Sequence, residues 1–197
     1  MSVEGSFGGP VTMVFDAPIP LPLTTLGATV GATDTTDVHA AIHPTAVAMF
    51  GLGAGDVGVS QQFLENEGGR PRVMGDLTFT AAFGDREPDQ GDEGGFRGFL
   101  QPSVTASWDW GKQRQCAAYT GLTAFMEPAA AFHAIGGLYV GNRFGVGKQR
   151  RGHVDLELKW LEFWASSEPI VPEFVTPGNL GAVELQVAYG YRFGGKP

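Results

Sequence analysis

From Val183 to Phe193 apolar and polar side chains alternate without a break. Val183, Leu185, Val187, Tyr189, Tyr191 and Phe193 fall on one side of an extended chain, and Glu184, Gln186, Ala188, Gly190 and Arg192 fall on the other. Successive side chains of a strand point to opposite faces, so a strict period of two makes a strand with one apolar and one polar face. Such a strand needs an apolar medium on one side and a polar one on the other.

The same two-faced pattern recurs upstream. Val73, Gly75, Leu77, Phe79, Ala81 and Phe83 oppose Met74, Asp76, Thr78 and Thr80. Pro102, Val104, Ala106, Trp108 and Trp110 oppose Ser103, Thr105, Ser107 and Asp109. Val154, Leu156, Leu158 and Trp160 oppose Asp155, Glu157 and Lys159; the pattern then slips at Leu161 and Phe163, as a β-bulge or the end of an apolar band would make it. Segments 23–33 and 114–127 alternate less cleanly. About ten strands are expected, at 10–16, 23–33, 36–43, 55–64, 71–84, 97–111, 114–127, 133–147, 152–165 and 180–193. Several exceed the five or six residues typical of a water-soluble sheet, and suit tilted strands that cross a bilayer in about ten residues.

The connections are short and long in turn. Thr33–Asp37, Glu65–Arg70, Gly111–Arg114 and Gly147–Gly152 are hairpin turns, rich in the Gly, Asn and Asp that tolerate positive φ. Longer or proline-rich links run over 17–22, 44–54, 85–96, 128–132 and 166–179. An up-and-down membrane barrel, with short turns at one rim and long loops at the other, produces that alternation. The expected fold is therefore all-β: a single up-and-down antiparallel transmembrane β-barrel of about ten strands (eight to twelve), spanning about 10–194 of one domain 1–197, with 1–9 as an N-terminal extension. A soluble lipocalin-like barrel is the same pattern turned inside out, since periodicity alone does not say which face is wet. The aromatics near strand ends favour the membrane form: Trp108, Trp110, Phe125, Phe132, Trp160, Trp164, Tyr191 and Phe193 are placed as interfacial girdles would be.

Composition narrows the function. With 30 glycines and only 17% charged residues the chain favours strands and turns over helices. A net charge of -8 argues against a nucleic-acid partner. The single Cys116 makes no internal disulfide and no cysteine metal site. No stretch reaches the roughly 20 apolar residues of a spanning helix. The start, Met1-Ser2-Val3-Glu4-Gly5, lacks the basic and apolar regions of a secretory signal; either a signal has been removed or the chain stays in the cytoplasm.

The last strand resembles the C-terminal assembly signal of bacterial outer-membrane proteins. Gln186, Ala188, Tyr191 and Phe193 fit its polar, small and paired aromatic positions, although Ala188 replaces the usual glycine and Gly194-Gly195-Lys196-Pro197 follow the Phe. The hairpin Gly31–Val38 is similar to periplasmic turns of such barrels. The resemblance implies insertion by the outer-membrane assembly machinery, a place in the outer membrane, and lipid and lipopolysaccharide as surroundings. It implies no catalytic residue.

Inward faces are expected to carry Arg72, Asp76, Asp109, Arg143, Asp155, Glu157, Lys159, Glu184 and Arg192. Opposite charges on neighbouring strands pair, and a ten-stranded barrel has little lumen, so these groups are expected to plug it; a narrow polar conduit or small-ligand site is the alternative. No metal or other cofactor is expected. His39 and His43 share a strand face but lie roughly 13 Å apart by strand rise, too far for one ion. Ser107 beside Trp108-Asp109 is the nearest approach to a nucleophile, without a G-x-S-x-G motif. The apolar link 44–54 is expected to fold inward or form a short helix at the membrane edge or a partner surface. The acidic link 85–96 and the proline-rich link 166–179 are expected to be surface loops open to a partner. The function expected is a structural or partner-binding envelope role without catalysis. The alternatives are a narrow channel or small-ligand carrier, an envelope lipid-modifying enzyme, and a soluble lipocalin-like binder.

Overall fold

A computed structural model describes residues 1–14, 17–51, 53–84, 95–111, 116–127, 133–147, 151–166 and 180–193. Eleven strands and one short helix follow in chain order: β1 Ser2–Val14, β2 Ala17–Pro20, β3 Thr24–Gly31, β4 Thr36–Ile42, α1 Pro44–Phe50, β5 Gly53–Leu64, β6 Arg72–Gly84, β7 Gly95–Trp110, β8 Cys116–Glu127, β9 His133–Val146, β10 Gly152–Ser166 and β11 Leu180–Arg192. Each strand pairs antiparallel with its chain neighbour, β1 with β3 and on through β11, and β11 pairs back onto β1. The sheet is thus a closed ten-stranded barrel. Strand β2 is a short addition, paired to the outer end of β1 from Val11↔Pro20 to Val14↔Ala17.

Two expectations are corrected at the N-terminus. The first strand starts at Ser2 rather than residue 10, and Ser2–Pro10 forms the closing seam against Arg192–Glu184. The link 17–22 contains β2 rather than a bare loop. The pattern Ser2-Val3-Glu4-Gly5-Ser6-Phe7 does alternate, but the glycines and Pro10 around Phe7 mask it. Those glycines have a use: Gly8 has φ 142°, and a Cβ there would lie 2.1 Å from the Leu185 carbonyl oxygen. The backbone of β1 can approach β11 that closely only without a side chain.

Both described termini and the strand ends that border the short turns lie at one rim; the strand ends that border the long links lie at the other. The link 44–54 holds α1, which starts with Pro44 in its first turn and ends at Gly51 in the left-handed conformation, whose N–H donates to the Val47 carbonyl at 3.1 Å. The short-helix expectation holds here. The slip after Trp160 is a bulge: Glu162 has φ 50° and the β10–β11 register shifts between Leu161 and Ser166. Most of links 85–96 and 166–179, with Phe132, lie outside the described residues.

Cross-strand partners share a face, so the register assigns every side chain inward or outward. Outward go Val3, Phe7, Leu26, Val57, Leu77, Val104, Leu122, Val140, Leu156, Val187 and Tyr189, all left exposed. Leu122 is 63% exposed and Phe96 66%, in mid-strand and near the long-link rim respectively. Among the described residues no large side chain is fully buried. A water-soluble barrel would reverse this arrangement, filling its inside with apolar groups and wetting its outside. Trp108, Trp110, Tyr189 and Phe193 stand outward near the short-turn rim, and Phe83 and Phe96 outward near the other, as aromatic girdles do. Phe125 is a correction: it shares the inward face of Thr123 and does not belong to a girdle. The architecture is that of an outer-membrane-type β-barrel.

Because a strand edge inside lipid leaves N–H and C=O groups unpaired at a cost of several kcal/mol each, β1 is indispensable to closure. A chain lacking residues 2–7 is expected to lose the detergent-resistant, faster-migrating form on an unheated gel. Retention of that heat-dependent shift would show that β1 does not close the barrel.

Candidate functional site: the barrel lumen

Inward side chains enclose a cavity of about 750 Å³, room for roughly 25 water molecules at liquid density. It stays open because four bulky inward rings lie against the wall, each over a glycine of the next strand. Tyr139 on β9 lies across Gly121 on β8 to hydrogen-bond Thr105 on β7; the three are partners on one rung. His39 on β4 lies across Gly58 on β5 to reach Thr78 on β6, Nε2 to Oγ1, at 3.0 Å. His153 on β10 lies across Gly190 on β11 to reach Glu4 on β1, Nε2 to Oε2, at 3.2 Å. Tyr119 lies on Gly141 in the same way: a Cβ on Gly141 would come 2.3 Å from its Cζ. These rings strap alternate strands together and leave the axis clear.

Charges lie along one wall. Arg143 grips Asp155 with two nitrogens, Nε donating to Oδ1 at 2.9 Å and Nη2 to Oδ2. Its Nη2 also lies 4.0 Å from Glu4. Lys159 stands between Glu157 at 3.3 Å and Glu184 at 3.2 Å. Two-pronged pairing of this kind orients both partners as well as attracting them. Nearer the short-turn rim Arg72 faces Asp109 at 3.7 Å. The wall from β5 to β8 carries mostly uncharged donors and acceptors: Ser60, Thr78, Gln101, Ser103, Thr105, Ser107 and Thr123. Besides the Arg72–Asp109 pair this wall carries Asp76, which accepts hydrogen bonds from Ser60 at 2.7 Å and Thr78 at 2.8 Å.

All nine inward candidates read from the sequence occupy the inward register. Arg72, Asp76, Asp109, Arg143, Asp155, Glu157, Lys159 and Arg192 line the cavity, while Glu184 stands behind Lys159. Arg72 with Asp109, Arg143 with Asp155, and Lys159 with Glu157 and Glu184 pair along the wall around open space rather than plugging it, and the small residues Gly141, Gly145 and Ala188 stand beside the β9–β11 pairs. Sequence reasoning missed Glu4, placed in an extension, and Tyr119 and Tyr139, in strands of less regular pattern. The available signal was the recurrence of glycine at inward positions 121, 137, 141 and 145 beside those tyrosines.

The histidines separate as the strand reading requires: His39 bonds Thr78, and His43 Nε2 lies 2.8 Å from Asp56 Oδ2. Glu4, His153 and Asp155 bring three potential ligand atoms within 4.8 Å of one another. A metal there would compete with the Arg143 guanidinium, which already engages both carboxylates. Ser107 faces the cavity on the rung of Arg72 and Tyr119, with no side-chain hydrogen bond among the described residues.

No family model matches the chain, and no curated protein matches it in sequence. Solved structures do resemble it. The NanC porin aligns with a TM-score of 0.49 at 8% identity, over 98% of this chain and 99% of that one. A bacterial polysaccharide outer membrane secretin aligns at 0.37 and 10% identity, over 98% and 97%. OmpT, an outer membrane protein of Vibrio cholerae, aligns at 0.33 and 12% identity, with this chain spanning 59% of its length. At such scores and identities these likenesses carry no argument about solute or activity.

The Arg143–Asp155 pair supplies a direct test of the lumen's ion pairing. Asp155→Asn, which leaves the guanidinium half satisfied, is expected to cost about 1–3 kcal/mol in a urea unfolding titration of the reconstituted barrel. The double variant Arg143→Met/Asp155→Asn is expected to lose less than the losses of Arg143→Met and Asp155→Asn summed. Strict additivity would mean that the pair contributes nothing.

Proposed function

We propose that the protein is an outer-membrane barrel whose lumen is a narrow conduit for small polar solutes and ions. The observation that carries this reading is the open, polar cavity of about 750 Å³, around which charges are paired against the wall. The outward apolar band is the surface that bilayer lipid covers, with lipopolysaccharide next to the long links. The lumen favours cations: Glu4, Asp76, Asp109, Asp155, Glu157 and Glu184 stand against Arg72, Arg143, Lys159 and Arg192. Rings of carboxylate select for cations in pores.

A structural or partner-binding role is the second reading, and α1 favours it. It is an ordered helix at the long-link rim with Val47 exposed, in a position where a surface loop is normally polar. Partner binding there is compatible with conduction. Neither reading requires a catalytic residue.

Single-channel recording in a planar bilayer tests the first reading. Small, weakly cation-selective currents are expected, with selectivity reduced in Asp76→Asn. Ser103→Trp, which fills the cavity from its uncharged wall, is expected to lower the current. A barrel that conducts equally well with Trp at 103 would rule out passage through this lumen. Gly141→Ala serves as a second check on the glycine platform, since its Cβ would lie 2.3 Å from the Tyr119 ring and force that ring off the wall. The expected result is a lower current and an earlier thermal transition than wild type.

A further inference from the structure

The cavity ends where the inward side chains change character. On β7 the last cavity-lining residue toward the long links is Gln101, on β8 Thr123, on β9 Tyr139 and on β10 Lys159. The next inward side chains on those strands are Phe99, Phe125, Ile135 (beyond Gly137) and Leu161. Four adjacent strands thus switch from polar to apolar at one level. Phe99 and Phe125 stack with centroids 4.7 Å apart, and the Arg97 guanidinium lies 5.3 Å from the centroid of Phe99. Leu161 lies against Gly137, where a Cβ would come within 2.7 Å of its Cδ2. Phe125 and Ile135 are rung partners, so the patch is continuous.

This placement is unexpected in a polar lumen, where apolar side chains forgo the lipid their outward neighbours enjoy. On the other side of the barrel His43, just past the end of β4, and Asp56, on the neighbouring β5, bond one another along the wall at 2.8 Å. Water beside an apolar patch is poorly bonded, and hydrophobic constrictions close pores by drying. We infer that Phe99, Phe125, Ile135 and Leu161 form a hydrophobic gate at the long-link end of the lumen, with the stacked Phe99–Phe125 pair as its moving part. The short-turn end, lined by Arg72, Asp109 and Arg192, stays wet. The inference rests on the conduit reading and adds to it the position and chemistry of the barrier. Passage requires the two rings to turn aside, so small hydrated ions cross rarely and in brief openings.

Bilayer recording distinguishes the gate from the conduit. Phe99→Ala/Phe125→Ala is expected to raise conductance or open time several-fold, and Leu161→Ser to do so by itself. Phe96→Ala, on the outward face, is expected to leave both unchanged. Adding Ser103→Trp to the Phe99/Phe125 variant is expected to bring the current back down, which shows that it passes through the lumen. Each variant is first checked for the heat-dependent gel shift, and Leu161→Ser keeps the test open if the double variant fails to fold. If Ser103→Trp lowers a wild-type current while neither gate variant raises it, the gate is wrong and the conduit stands. If no variant conducts at all, both are overturned.

Discussion

Closure of the hydrogen-bonded ring is the constraint on which everything else depends. Inside hydrocarbon no water can satisfy a strand edge, so the only stable sheet is one without edges. Here the ring is completed by the pairing of Ser2–Pro10 with Arg192–Glu184, the two ends of the chain. The Phe193 N–H extends the seam by donating to the Met1 carbonyl at 2.8 Å. Closure also sets the faces: once the register is fixed around the ring, every strand must keep its apolar set outside. The excursions include register shifts on β5 between Gln62 and Leu64 and on β10 at Glu162, the rim hairpin of β1 and β2, and the inward apolar group of Phe99, Phe125, Ile135 and Leu161.

A closed ten-stranded ring has an interior small enough that ordinary inward side chains could fill it. The glycines facing the lumen decide otherwise. Gly58, Gly121, Gly141 and Gly190 each offer a platform on which a ring from the adjacent strand lies flat, and three of those rings hydrogen-bond a third strand beyond. Stability and openness therefore have the same source: the straps that brace the wall are also what keeps the axis free. The ion pairs do the remaining bracing. The closest partners sit on the same or an adjacent strand, as Lys159 does with Glu157 and Glu184 and Arg143 with Asp155.

Much of this was legible in the sequence. Alternation in 73–83, 102–110, 154–160 and 183–193 identified both faces, and the contrast between turns such as 65–70 and links such as 44–54 identified the two rims. Charged residues were assigned inward correctly because a charge on the lipid face is costly wherever it lies along the strand. Glu4 was missed because a glycine-rich strand carries little propensity signal; its conformation comes from the seam, a contact between residues more than 180 positions apart. Phe125 was read as a girdle residue because local alternation cannot tell an inward aromatic from an outward one when the strand mixes small residues on both faces. The glycine platforms were invisible for a related reason: the ring and its glycine lie on different strands, and only the register brings them together.

Lipid outside this barrel and water inside it can be read directly along strand β7. In a Cys116→Ser background, single cysteines at each position from 103 to 108 would carry a polarity-sensitive fluorophore after reconstitution into lipid vesicles. Strict alternation is expected: positions 104, 106 and 108 report hydrocarbon and are quenched from within the bilayer, while 103, 105 and 107 report water. Alternation of the opposite phase, or none, would contradict it.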